Sequence, residues 1–192
     1  MKFDACIISR ALLSGFFLLL MQPVASRTNY PMIDQPLPEF SQTGQEQWLN
    51  SAPLFLEVLR GRVVVIEFWT SECPSCFRTV AWMKSLQRRF ADRPVTIIGV
   101  HTPEFDHERR IENVAAKVEE FELAFPIMVD NDYAYWSAIK NAVWPAIYIV
   151  DKTGILRHVY YGVKQVGDSQ SRRMATMISR LAKQPHPDTN RQ

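Results

Sequence analysis

Cysteine is scarce in this chain of 192 residues, which holds only Cys6, Cys73 and Cys76. A structural zinc site calls for a full tetrahedral ligand set. Neither a second cysteine pair nor a closely spaced histidine pair exists to complete one, so no metal is expected. His101, His107 and His158 are scattered, without a cysteine, acid or second histidine at ligand spacing, and receive no role. Net charge is also nearly absent, at +2 for the whole chain, which removes the electrostatic case for nucleic acid as a partner. No internal repeat is visible. What remains, 47% hydrophobic and 22% charged, is the composition of a soluble globular protein, and the length suits one domain with one core.

The amino terminus reads as a targeting signal over residues 1–26. Lys2 and Arg10 bracket a weakly basic start, Ala11 to Met21 form a short apolar run, and Val24-Ala25-Ser26 offer small residues for cleavage. That run falls short of the roughly 20 residues that span a bilayer, although continuation through Pro23 and Val24 would let it serve as an uncleaved anchor. The expected location is therefore exported: periplasmic if the source is bacterial, either free or held at the inner membrane. Cys6 leaves with the leader. Residues 27–36, rich in Pro and polar groups, are expected as an extended lead-in without a core; residues 37–183 form the domain, and 184–192 a disordered tail.

Cys73 and Cys76 then remain as the only thiols. A disulfide between them closes a tiny loop, and loop-closure stabilisation grows with loop length, so the pair reads as reactive rather than structural. Before it lies Val63-Val64-Val65-Ile66-Glu67-Phe68, an apolar, β-branched run expected as a central strand buried on both faces. Behind it, Val80, Met83, Leu86 and Phe90 recur at helical spacing. The pair thus sits at a strand-to-helix junction. Further strands are expected at Val95–Val100 and Phe125–Val129, with a helix through Ile111, Val114, Val118 and Phe121 between them. A short helix follows near Asp132–Lys140. Ala146–Val150 and Ile155–Tyr161 around Asp151-Lys152-Thr153-Gly154 read as a hairpin, and Met174, Met177, Ile178 and Leu181 as a closing helix.

Trp69-Thr70-Ser71-Glu72-Cys73-Pro74-Ser75-Cys76 after a strand, a long helix behind it, and Trp144-Pro145 before a hairpin strand resemble the thioredoxin superfamily. The extra strand and helix between Val100 and Trp144, the stretch Gly99 to Phe105, and Asp151-Lys152-Thr153-Gly154 are similar to its exported branch of TlpA and ResA-type reductases and the thioredoxin-like domain of DipZ proteins. The resemblance implies an α/β, thioredoxin-like fold, a central mixed sheet flanked by helices, with the strand-helix insertion of the TlpA/redoxin branch. It also implies a thiol-disulfide oxidoreductase without cofactor, monomeric, with disulfide-containing exported proteins as clients and a membrane thiol as electron donor. Within the motif the sequence departs from the family: Pro74-Ser75 is neither the Gly-Pro of cytosolic thioredoxin nor the Pro-His of DsbA.

Thiol-disulfide exchange needs an attacking thiolate and a second thiol that releases the mixed disulfide. A helix start favours a thiolate through its unpaired N–H groups and dipole, and Pro74 is tolerated in a first turn. The resemblance makes Cys73 the exposed nucleophile and Cys76 the resolving thiol. Glu67, a carboxylate in an apolar strand, would have its pKa raised by burial and could exchange the proton of Cys76, as the buried acid at the matching thioredoxin position does. ResA-like proteins place a second acid three residues after the resolving cysteine, where this sequence has Thr79. Glu72 is expected as a solvated loop charge. The resemblance also assigns Trp69 and Pro74 to the substrate-facing surface, with Pro145 as a cis-proline whose neighbour Trp144 presents its backbone and an apolar wall to the client. Two other readings compete. Thr70-x-x-Cys73 matches the end of the peroxiredoxin signature, although Ile66 replaces its proline, and two thiolates could carry Cu(I) without catalysis.

Overall fold

The computed structural model describes residues 32–185. The leader of residues 1–26 and residues 186–192 of the tail lie outside them. The sheet has six strands: β1 Trp48–Leu49, β2 Val63–Trp69, β3 Val95–His101, β4 Ile127–Val129, β5 Ala146–Val150 and β6 Leu156–Tyr161. Five helices accompany it: α1 Leu56–Leu59, α2 Pro74–Arg89, α3 Ile111–Glu120, α4 Ala134–Ala138 and α5 Ser169–Lys183. The strand order is β1-β4-β3-β2-β5-β6, with β2, β3 and β4 mutually parallel and the pairs β1–β4, β2–β5 and β5–β6 antiparallel. This is the mixed, helix-flanked sheet the sequence predicts. The two-residue edge strand β1 is the addition, read from sequence only as apolar residues turned toward the core.

Strand β2 is central because every one of its side chains is buried, as a nearly unbroken β-branched run permits. Alternation along β2 and β5 splits the core in two. Val63, Val65, Trp69, Ile147 and Ile149 meet the buried faces of α2, α3 and α5 on one side, together with Cys73 and Cys76. Val64, Ile66, Phe68, Tyr148 and Val150 meet α1, α4 and Leu37 and Phe40 from the start of the domain on the other. Between them the two faces bury the sheet completely, which is why the pattern of β2 is continuous rather than alternating.

The lead-in is more attached than its composition suggests. Asp34 N–H donates to Leu156 O, Leu156 N–H to Gln35 O, and Leu37 N–H to Gly154 O, so residues 34–37 run beside the start of β6. Met32 packs, half-buried, against the second core cluster. Edge backbone donors and acceptors that would otherwise stay open are thereby satisfied.

Gly99 sits in β3 directly opposite Glu67. A Cβ there would come within 2.6 Å of Ile127 Cδ1 and 3.1 Å of Trp69 Nε1, so the bare glycine leaves room for the indole. Gly99→Ala is expected to lower stability by about 1–3 kcal/mol through overpacking. Urea unfolding followed by tryptophan fluorescence measures it; an unchanged midpoint would show that the indole has space to spare.

Candidate active site

Cys73 is the N-cap of α2, and Pro74 takes the first helical position, where its missing N–H costs nothing. The two sulfurs are joined as a disulfide. Cys73 Sγ accepts the backbone N–H of Cys76 at 3.1 Å and lies 3.0 Å from Ser75 Oγ. The pair is nearly enclosed: Cys73 keeps 7% of its surface and Cys76 1%, so the expected nucleophile is the more accessible of the two, by a narrow margin in the oxidised state. Pro74 is exposed beside them.

Two buried side chains from elsewhere in the sheet and its loops hold the segment that delivers Cys73. His101, the last residue of β3, stands opposite Trp69 and accepts the Ser71 N–H at Nε2, 3.2 Å away. Its ring meets the Trp69 indole edge-on at 5.1 Å. Burial pushes the imidazole down to about 4, the nearby Glu108 charge opposing it only in part, so His101 is neutral at pH 7. Glu108 lies in the single helical turn Asp106–Arg109 and is completely buried. Its Oε1 accepts from the Thr70 hydroxyl, from Ser71 Oγ at 3.0 Å and from Glu72 N–H at 2.9 Å. Its Oε2 accepts from Glu104 N–H at 2.6 Å and Phe105 N–H at 2.8 Å. Burial works to raise its pKa, but the bonds from Thr70, Phe105, Glu104 and Ser71 outweigh that and hold the carboxyl below its ordinary range.

Sequence reasoning passed over both residues. His101 was within reach of it, since a parallel register of β2 and β3 places the end of one strand beside the end of the other. Glu108 carried only the local signal of a carboxylate three residues after a helical-turn N-cap, where it accepts the Phe105 N–H; its bonds to the cysteine loop had none, because those partners lie 36 to 38 residues earlier in the chain. Glu72 projects outward as expected, and its carboxylate pairs with exposed His107 at 2.8 Å.

Glu67 follows Val63 and Val65 on the face of β2 that carries the cysteines. It is 4% exposed, and its Oε1 finds no hydrogen-bond partner in the protein. Burial raises its pKa to about 8. The carboxyl is therefore mostly protonated at pH 7, the opposite state to that of Glu108. Thr79, where a second acid is missing, accepts the Lys164 N–H at 3.2 Å.

The Trp144-Pro145 peptide bond is cis. Trp144 is half-buried, its ring tilted at 41° against Trp136 with centroids 4.4 Å apart, while Pro145 is buried and its carbonyl accepts the Gly162 N–H. Trp69 requires a correction. At 3% exposure it is a core side chain packed on His101, not a surface platform, because β2 continues through it and alternation turns its ring under α2.

A family model, AhpC/TSA, matches residues 33–159. The chain belongs to the AhpC/TSA family. Among its curated relatives, this AhpC/TSA protein is 39% identical over 118 residues to the DipZ protein of Mycobacterium tuberculosis, which covers 60% of this chain but 17% of DipZ. It is 28% identical over 147 residues to the thiol-disulfide oxidoreductase YkuV of Bacillus subtilis, covering 77% of this chain and 94% of YkuV. Among solved structures, a thiol-disulfide isomerase from Corynebacterium glutamicum aligns over 78% of this chain and 98% of its own, with a TM-score of 0.65 and 25% identity. A secreted M. tuberculosis disulfide oxidoreductase homologous to E. coli DsbE aligns over 68% of this chain and 90% of its own, with a TM-score of 0.54; at 19% identity it speaks to the fold alone. The chain spans about a sixth of the length of DipZ, and what it shares with these proteins is a thioredoxin-like fold with a Cys-x-x-Cys pair bonded at the head of α2.

Glu67 gives this AhpC/TSA protein a specific pH signature. Its folded pKa of about 8 exceeds the ordinary 4.5, so the unfolded chain ionises first as pH rises. The folded state therefore loses stability between those two values, by up to about 3 kcal/mol at pH 7. Glu67→Gln should flatten that decline and match the wild type at pH 4. Parallel pH profiles for the two proteins in denaturant titrations would contradict it.

Proposed function

We propose that this chain is an exported reductant of protein disulfides, acting as a monomer through the Cys73–Cys76 dithiol and recharged by a membrane protein with a thiol of its own. The observation that carries the direction is the environment of the Cys73 sulfur. Both hydrogen-bond donors that reach it, Cys76 N–H and Ser75 Oγ–H, are uncharged. A strong oxidant such as DsbA, near about −120 mV, owes its potential to an unusually stabilised reduced form, whereas thioredoxin lies near about −270 mV. Neutral donors and a helix end supply moderate stabilisation, which favours the reducing side. Export rests on the leader-like residues 1–26. The need for a donor follows, because an oxidising compartment would not keep such a dithiol reduced.

In the forward reaction the Cys73 thiolate attacks a client disulfide, forming a mixed disulfide and releasing one client thiolate. Cys76 gives its proton to Glu67 in the fraction of molecules whose carboxyl is ionised, and the resulting thiolate attacks Cys73 Sγ. The second client thiol leaves, and the enzyme is left with the disulfide seen here. A carboxyl with a pKa of about 8 is matched to a thiol proton near neutral pH. Trp144, half-buried beside the cis bond, offers client backbone an edge on which to add as a short strand. The peroxidase reading fares less well, since the Thr70 hydroxyl it would use is engaged by Glu108.

Cys73→Ser should reduce turnover of an insulin-like disulfide substrate to the uncatalysed rate. Cys76→Ser should permit attack and block release, accumulating mixed disulfides with clients, which non-reducing gels and mass spectrometry detect. Equal trapping by both variants would reverse or void the assignment of roles. Acid-quenched cells treated with a thiol alkylator test the direction: a pair found fully oxidised in growing cells would make the protein an oxidant.

A further inference from the structure

We propose that Glu108 is a positioning residue that sets the redox balance of the Cys73–Cys76 pair: its buried carboxylate takes up the donors of residues 70–72 and places a fixed negative charge behind Cys73, making the dithiol more reducing. The inference rests on the redox reading above and deepens it.

A carboxylate so deeply buried is the most polar object next to the cysteine loop. It accepts the hydroxyls of Thr70 and Ser71 and the N–H of Glu72, all within three residues of Cys73. These are the donors that would otherwise be free to turn toward a thiolate at the helix N-cap. With Glu108 holding them, the Cys73 sulfur is left with Cys76 N–H and Ser75 Oγ alone. Its other two acceptor bonds, to Glu104 and Phe105 N–H, fix the carboxylate from the opposite side, so it cannot swing away. A fixed anion in a poorly solvated setting raises the energy of a second anion nearby.

The remaining charged groups around the site do not cancel it. His101 from β3 is a neutral acceptor, committed to Ser71 N–H. Glu67 on β2 is buried without a partner and mostly protonated. Glu72 on the loop is paired with exposed His107. Arg78 on α2 is exposed, and Lys164, on the loop between β6 and α5, gives its ammonium to the carbonyls of Tyr161, Gly162 and Val163. Among the described residues, then, no side-chain cation bonds to Glu108.

The test uses two variants with opposite expected signs. Glu108→Gln removes the charge and frees donors toward Cys73; its thiol pKa, read from thiolate absorbance of the reduced protein, should fall by about half a unit or more. In a glutathione buffer the ratio of reduced to oxidised protein should rise by about threefold or more. Ser71→Ala strips one hydroxyl partner while Thr70, Glu72, Glu104 and Phe105 still hold the anion, so the Cys73 pKa should rise and the reduced fraction fall. A residue with a merely structural role would lower the unfolding midpoint and move both variants in one direction or neither. Should Glu108→Gln fail to fold, Ser71→Ala decides alone: a Cys73 pKa that stays or falls overturns the proposal. A wild-type protein unable to equilibrate with glutathione would overturn the redox reading and this inference together. A wild type that equilibrates while Glu108→Gln leaves ratio and pKa unmoved overturns the role of Glu108 only.

Discussion

The parallel register of β2 against β3 is the constraint on which the site depends. It sets Trp69 opposite His101 and Glu67 opposite Gly99. From the first pairing follow the bond from Thr102 N–H to Trp69 O and the acceptor that meets Ser71 N–H just past the strand end. From the second follows the space that receives the Trp69 indole. A slip of one residue would turn Glu67 and Trp69 to the other face, where Phe68 and Tyr148 fill the core, and would leave the cysteine loop without its histidine. The apolar, fully buried character of β2 guards against that slip by making every side chain answer to a packed neighbour.

Beyond the strand ends, the same register is tied laterally. His101 O accepts the Asp130 N–H, and Asp130 accepts the N–H groups of Tyr135 and Trp136 at the start of α4. Trp136 packs against Trp144, the residue before the cis-proline. A continuous set of hydrogen bonds and ring contacts thus runs from the cysteine loop through β3 and β4 to the Trp144 side of the site. The cysteine loop and the segment before the cis-proline are thus tied to strand ends and to one buried turn rather than left as free loops.

Glu67 and Glu108 show one residue type put to opposite uses by its surroundings. Both are buried, one in β2 and one against the loop that precedes Cys73. Glu67 has an unpartnered oxygen and is held neutral; Glu108 is met by five donors and is held charged. Burial alone does not decide the protonation state of a carboxyl. The number of donors that the fold turns toward it does.

By itself the sequence determined the redox pair, its place at a strand-to-helix junction, the mixed sheet with its hairpin, the buried acid in β2 and the proline before β5. Each of these is written in local pattern: spacing of two cysteines, runs of β-branched residues, a charge that breaks an apolar strand. Tertiary structure alone decided what could not be local. Trp69 proved a core residue because its exposure depends on what packs over the strand end, and neither its own spacing nor its neighbours encode that. The lead-in proved tethered because its partners lie at β6. Glu108 proved a partner of the cysteine loop because a carboxylate capping its own turn meets the Thr70, Ser71 and Glu72 donors only when the chain returns, tens of residues later, to lay that turn against the loop.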